Sequence, residues 1–202
     1  YHGLNRYFSF NEEVSSDIRK ASKQIGISLY SFLLSGYYIL LSKYSNQNDI
    51  ILGSPFANRH YKNVSDTIGY FVNTLPLREF INSEQKICSF IKQVADTVQE
   101  AQFFQDLPLE KLIDELNLEK DSSRHPIFQV LFSVQSFGAE CLCELKNILF
   151  IYENKNIANM DVAKFDLATT LDDSGERIEG VMNYASSIFN GETIDVYIDT
   201  YM

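Results

Sequence analysis

Proton transfer, nucleophilic attack and metal binding each need an imidazole, a thiol or paired carboxylates brought together, so these residues are the place to begin. The three histidines, His2, His60 and His125, are far apart, and no two of them stand at a metal-ligating spacing. His125 precedes Pro126, which biases its backbone towards extended conformations, and Ser122 and Ser123 are too near in sequence for a triad to be presumed. Cys88, Cys141 and Cys143 are odd in number, and a lone C-x-C without a second ligand pair is a poor zinc site. Reduced thiols, a cytoplasmic location and no metal are expected. In "FQDLPLEKLIDEL", Asp106 and Glu110 have the look of a carboxylate pair. Pro108 between them marks the first turn of a helix, which favours a capping role: an acceptor for unpaired N–H groups and negative charge at the positive end of the dipole. In "KDSSRHPIFQVLF", Asp121 and Arg124 with the two serines fit a hydrogen-bonded turn leading into a strand. The chain is left short of a general base.

The stretch "IGYFVNTLPLR", residues 68 to 78, has a different interest. Read as a strand with a period of two, it puts Phe71, Asn73 and Leu75 on one face and Val72 and Thr74 on the other. A buried amide has to be hydrogen-bonded. Asn73 therefore either ties down a neighbouring loop or faces a polar cavity, and the residues alone leave both open.

The elements that would position these residues follow from periodicity. Helices are expected at 13–25, ended by Gly26; from a cap at Ser28 to Tyr44; at 84–104; at 108–116; and at 191–202. Strands are expected at 50–56, 68–81, 128–135, 148–152, 164–173 and 177–185, with a hairpin turn at Asp173-Ser174-Gly175 and a polar, exposed linker at 56–66. This order suggests an α/β fold, a two-layer sandwich with a mixed β-sheet and helices on one face. A chain of 202 residues fits one compact domain, or two small ones at most. Its net charge of −10 and pI near 4.7 argue against nucleic acid. The apolar stretch after Ser28 is interrupted by Ser31, Ser35 and Gly36 and falls short of a membrane span, which suggests a core helix. The start lacks a signal peptide and a methionine, as in a piece of something longer. The glycines form neither a P-loop nor a dinucleotide fingerprint.

Together these stretches resemble the downstream half of a condensation domain from nonribosomal peptide synthetases, in the chloramphenicol acetyltransferase-like superfamily. "IGYFVNTLPLR" is similar to the family's I/V-G-x-F-V-N-T segment through Ile68, Gly69, Phe71, Val72, Asn73, Thr74 and Arg78. "FQDLPLE" keeps Gln105, Asp106, Pro108 and Glu110 of H/N-Q-D-x-P-F-E, with Phe104 and Leu109 as departures. "KDSSRHPIFQVLF" keeps Asp121, Ser123, Arg124 and Pro126 of R-D-x-S-R-N-P-L, with Lys120, His125 and Ile127 as departures.

The resemblance implies that residues 1–202 are a C-terminal subdomain, one half of a pseudo-dimer with a V-shaped cleft between its halves. The family's H-H-x-x-x-D-G motif, whose second histidine is catalytic, has no counterpart in this sequence. In the intact domain, the phosphopantetheine arms of donor and acceptor peptidyl carrier proteins enter from opposite sides, and the acceptor amine attacks the donor thioester. The implied partners are the N-terminal condensation subdomain, the two carrier proteins and an adjacent adenylation domain, without nucleic acid, membrane or a cofactor bound to this chain. Asn73 and Thr74 are expected near the cleft or the subdomain interface, and Arg78 either pairs with a carboxylate across that interface or sits in solvent. Ser54 and Arg59 are weaker cleft candidates, and residues 136–164 are the candidate crossover segment. The rival readings are a carrier-protein-docking module without chemistry and part of an epimerisation or heterocyclisation domain.

Overall fold

The computed structural model describes residues 2–59, 61, 67–118, 124–135 and 162–202. In order they form β1 (Gly3–Ser9), α1 (Glu12–Ile25), α2 (Leu29–Ser45), β2 (Asp49–Phe56), β3 (Asn73–Phe80), α3 (Ile87–Phe103), α4 (Leu109–Glu115), β4 (Val130–Gln135), β5 (Leu167–Asp172), β6 (Glu179–Ala185) and α5 (Gly191–Tyr201). Short polar side chains start three of the helices by accepting from first-turn N–H groups. Asn11 Oδ1 takes Val14 N at 2.8 Å, Ser28 Oγ takes Ser31 N at 3.0 Å and Asn190 Oδ1 takes Thr193 N at 2.8 Å. Gly26, at φ 78°, follows α1, and Asn46, at φ 53°, closes α2; both are residue types that tolerate the left-handed region.

The strands form a mixed six-stranded sheet in the order β1-β6-β5-β4-β2-β3. With five helices this is the expected α/β class. The chain divides into two compact units, residues 1–24 with 133–202 and residues 25–132, the boundary falling inside β4.

In the unit of residues 25–132, β2 and β3 pair antiparallel from Asp49 opposite Phe80 to Phe56 opposite Asn73, and Gly53 pairs with Leu131 of the parallel β4. Helices α2 and α3 pack on each other and on these strands. They bury Leu33, Leu34, Tyr37 and Tyr38 from α2 and Phe90, Val94 and Val98 from α3 against Leu52, Leu75 and Leu77. The phenol of Tyr38 escapes the penalty of burial by donating to Leu77 O at 2.9 Å. Buried Glu79 accepts from Gln93 Nε2 of α3 at 2.6 Å.

In the other unit, β1, β6 and β5 are antiparallel neighbours, with Gly3 opposite Ala185 and Leu167 opposite Tyr184. Leu167, Leu171, Met182 and Tyr184 of these strands are buried, as are Ile194 and Ile198 of α5, which packs on β1. The β5–β6 turn is held twice. Asp172 Oδ1 accepts from Ser174 N at 2.9 Å, and Arg19 of α1 donates to the carbonyls of Asp173, Gly175 and Glu176 at 3.2, 2.7 and 2.8 Å.

Three sequence-based expectations need correction. Strand β1 has no forecast, because "GLNRYFS" alternates too weakly to declare itself. The strand expected at 68–81 begins only at Asn73: its partner β2 ends opposite that residue, and Ile68 and Tyr70 are 100% and 90% exposed. The strand expected from 164 begins at Leu167. The expected strand at 148–152 and the crossover segment at 136–164, apart from residues 162–164, lie outside the described residues.

Gly53 shows how closely β2 is packed. A Cβ added there would stand 2.1 Å from Cε2 of Phe128, whose ring is 1% exposed and stacked on the His125 ring at 3.9 Å between centroids. The ring has no free side to move towards. Gly53→Ala is expected to lower stability by about 1–3 kcal/mol, read as a lower urea midpoint. Adding Phe128→Leu should recover part of the loss, whereas simple additivity of the two substitutions would contradict this packing account.

Candidate functional site

The site is built around the start of β3. Asn73 is the last rung of the β2–β3 ladder, opposite Phe56. Its Nδ2 donates to Gln105 O at 2.7 Å and to Leu107 O at 3.1 Å, so both amide protons are used. Those carbonyls belong to the turn between α3 and α4, where helical bonding has stopped and acceptors would otherwise go unmet. Of the two readings the residues leave open for Asn73, the structure gives the first: it ties down a neighbouring loop.

A second tie reaches the same turn from the segment after β2. Tyr61 donates its hydroxyl to Asp106 Oδ2 at 2.9 Å, and this hydrogen bond, aided by the carboxylate's charge, raises the phenol above its ordinary pKa. Asp106 thus gives Oδ2 to Tyr61. Pro108 occupies the N-cap position with no side-chain cap, and its own carbonyl accepts from Lys111 N and Leu112 N. Glu110 lies in the first turn, where a negative charge suits the dipole.

A third tie involves Arg59. Its Nη1 donates to Thr67 O at 2.7 Å and its Nη2 to Gly69 O at 3.3 Å, while Cζ lies 4.4 Å from the centroid of the Phe71 ring. Asn58, in the left-handed region at φ 50°, bends the chain just before it. The sequence segments around Arg59, Asn73 and Asp106 thus meet in one lattice, with Tyr61 as the member that sequence reasoning missed. Its partner is 45 residues away, and a tyrosine in a polar linker carries no periodic signal.

The remaining candidates are placed elsewhere. Thr74 is half-buried in β3 opposite Pro55. Arg78 forms a bidentate pair with Asp49 of β2, Nε to Oδ1 at 2.8 Å and Nη2 to Oδ2 at 2.6 Å, which holds the Asp49 carboxyl below its usual range. Ser54 is wholly buried: it accepts from Tyr30 OH at 2.7 Å and donates to Phe132 O at 2.7 Å. Burial pushes the Tyr30 phenol up. Arg124 is exposed, Pro126 is half-buried, and Asp121 and His60 lie outside the described residues.

The turn into β4 is organised by His125. Its Nδ1 faces Ile127 N at 3.4 Å and Phe128 N at 3.3 Å, so the ring accepts at Nδ1 and carries its proton at Nε2. Burial lowers its pKa.

Chemically, the lattice offers hydrogen-bonding groups and apolar side chains. Beside Ile68 and Tyr70, Phe103 is 81% and Phe104 61% exposed, their rings edge to face at 5.0 Å. The shallow concavity lined by Glu12, Ser16, Arg19, Lys20, Lys23 and Glu176 lies on α1 and the β5–β6 turn and shares no residue with the lattice.

Two predictions follow from this geometry. Asn73→Ala should lower stability by about 1–3 kcal/mol. Asn73→Asp, which keeps the shape but turns an acceptor towards two carbonyls, should be at least as destabilising in urea unfolding; an Asp variant near wild type would dismiss the tie. For His125, a folded pKa below the unfolded value of about 6.5 means the unfolded chain binds more protons. Stability conferred by the neutral ring is then present above pH ~6.5 and lost as pH falls towards the lowered folded value. Urea midpoints at pH 8 and pH 5 should differ less in His125→Asn, where an amide oxygen replaces Nδ1 as acceptor without titrating.

Comparison with known proteins places this geometry in a family. The family profile described as "Condensation domain" matches residues 2–202. Bacitracin synthase 3 of Bacillus licheniformis is 33% identical over 188 residues, which is 93% of this chain and 3% of that protein. Among solved structures, a holo four-domain nonribosomal peptide synthetase bound to AMP and glycine superposes with a TM-score of 0.86 at 22% identity, covering 97% of this chain and 16% of that one. The condensation domain of the monacolin K polyketide synthase superposes with a TM-score of 0.83 at 20% identity, covering 98% and 46%. The chain thus spans a small part of the synthetases it matches and less than half of that solved condensation-domain chain. With a family match running from residue 2 to residue 202, this chain belongs to the condensation domain family.

Proposed function

We propose that the chain is the downstream half of a peptide-bond-forming condensation domain of a nonribosomal peptide synthetase, and that the lattice at Asn73 lines the tunnel where the reaction occurs. The observation that carries this reading is the convergence of two family segments, 68–74 and 104–107, on the Asn73 amide, in a chain whose family match is continuous. Segments 30 residues apart have no local reason to share a hydrogen-bonding partner.

In the proposed reaction the acceptor's amine attacks the thioester carbonyl of the donor. The C–N bond forms, the C–S bond breaks, the amine gives up a proton and the departing thiolate of the donor's phosphopantetheine arm takes one up. The arms are brought by donor and acceptor carrier proteins, with an adenylation domain supplying the activated residue. This chain contributes fixed walls, and the work of a fixed wall is to hold the two arms in reacting geometry. The imidazole that takes the amine proton comes from an upstream segment bearing His-His-x-x-x-Asp-Gly. A positioned general base contributes ~10²- to 10⁴-fold in rate, so the chain by itself should be nearly inactive.

The test offers donor and acceptor carrier proteins loaded with aminoacyl thioesters to this chain alone and to the chain joined to such an upstream segment. Amide product is expected only from the joined protein. Turnover by the chain alone would refute the shared site. Carrier-protein binding without turnover by the joined protein would favour a docking module instead.

A further inference from the structure

The carbonyls of Thr67 and Gly69 lie beyond the end of β2, whose last ladder residue, Phe56, is already opposite Asn73. No strand among the described residues is there to donate to them. The guanidinium of Arg59 takes that place, bridging the two carbonyls while its Cζ lies over the Phe71 ring, 4.4 Å from the centroid. A guanidinium holds its N–H groups in a fixed planar fork, whereas an ammonium is a point charge on a flexible stem and loses more freedom in making the same contacts. Gly69 completes the arrangement, since a Cβ there would stand 3.0 Å from Cε2 of Phe71 and press on the ring that the guanidinium covers. Arg59, Gly69 and Phe71 are thus interlocked, and the chain that leaves them runs directly into Asn73.

We propose that Arg59 is a positioning residue of the condensation site: by clasping residues 67–71 it fixes where Ile68, Tyr70 and the Asn73 amide stand. It touches no substrate and acts through the backbone it holds. This gives Arg59, a weaker cleft candidate in the sequence, a specific role, and it rests on the function proposed above for that segment. The clasp ties down a segment whose Ile68 and Tyr70 are almost fully exposed and which has no sheet partner among the described residues. It also gives the glycine and the phenylalanine of "IGYF" a shared physical role.

The test has two arms. On this chain alone, chymotryptic cleavage after Tyr70 and Phe71 reports local opening, with the urea midpoint as a control for global unfolding. On the chain joined to the upstream segment, kcat/KM for amide formation reports the consequence. Loss of two charge-assisted hydrogen bonds and a cation–π contact in Arg59→Ala should raise cleavage and lower kcat/KM by roughly tenfold or more each, with little change in midpoint. Arg59→Lys should behave like Ala, and added guanidinium should restore both properties of the Ala variant, which a general structural defect would not allow. Phe71→Leu, which keeps the carbonyl bridge and loses the ring, should fall between in kcat/KM and in cleavage after Tyr70.

Unchanged cleavage in Arg59→Ala would overturn the clasp. Raised cleavage with full turnover, or a Lys variant as good as Arg, would overturn its positioning role. Should the unsubstituted joined protein form no amide, the functional reading fails, and the cleavage arm alone decides for or against the clasp.

Discussion

A backbone carbonyl that leaves a helix or a ladder must find a donor, and in this protein three side chains meet that requirement where regular structure stops. Asn73 supplies the turn after α3, Arg59 supplies residues 67 and 69, and Arg19 supplies the turn between β5 and β6. All three have planar nitrogen groups with more than one N–H, so each serves at least two carbonyls from one anchored position. Of the residues in the family segments, Asn73 is thus tied to the backbone, with both its amide protons already spent. A loop held this way is tied through its backbone while Ile68 and Tyr70 stay exposed.

A second constraint works on the apolar side. Phe128 lies against Gly53, and Phe8 lies against Gly180, each ring occupying the space where a Cβ would be. In both cases a strand gives up a side chain so that an aromatic ring can approach its backbone. The penalty of glycine in a strand is offset by ring burial, since Phe128 is almost wholly enclosed. Because the same Phe128 ring stacks on His125, the turn into β4 and the packing of β2 are one mechanical unit.

Most of the helices are legible in the sequence, because their signals are local: Ser28 before an apolar run and Gly26 after one. The strand start at Asn73 is not. Residues 68–72 have strand-like composition, and only the length of β2 shows that no ladder waits for them. Likewise Asp106 sits where a cap acceptor belongs, and its bond to Tyr61 depends on a residue 45 positions away. The sequence does make plain that Asn73 needs a partner, since an amide in an apolar run cannot go unbonded. Which partner it takes is a tertiary fact. The motifs therefore reveal which residues matter more readily than what each one touches.

Tethering and chemistry are divided in this chain, and the division has a physical basis. A proton-transferring group must change its charge during a reaction, so its hydrogen bonds have to be able to reverse. The bonds of Asn73 and Arg59 cannot reverse without releasing the carbonyls they hold. Groups that fix a loop and groups that shuttle protons are thus poorly combined in one side chain. His125 illustrates the limit: as an acceptor for two backbone N–H groups its Nδ1 is committed, and protonation there would set donor against donor. A described histidine in this position is a poor candidate for a general base even though its residue type is right. A lattice of permanent donors is suited instead to fixing the shape of a loop, which is the part the proposed function gives it.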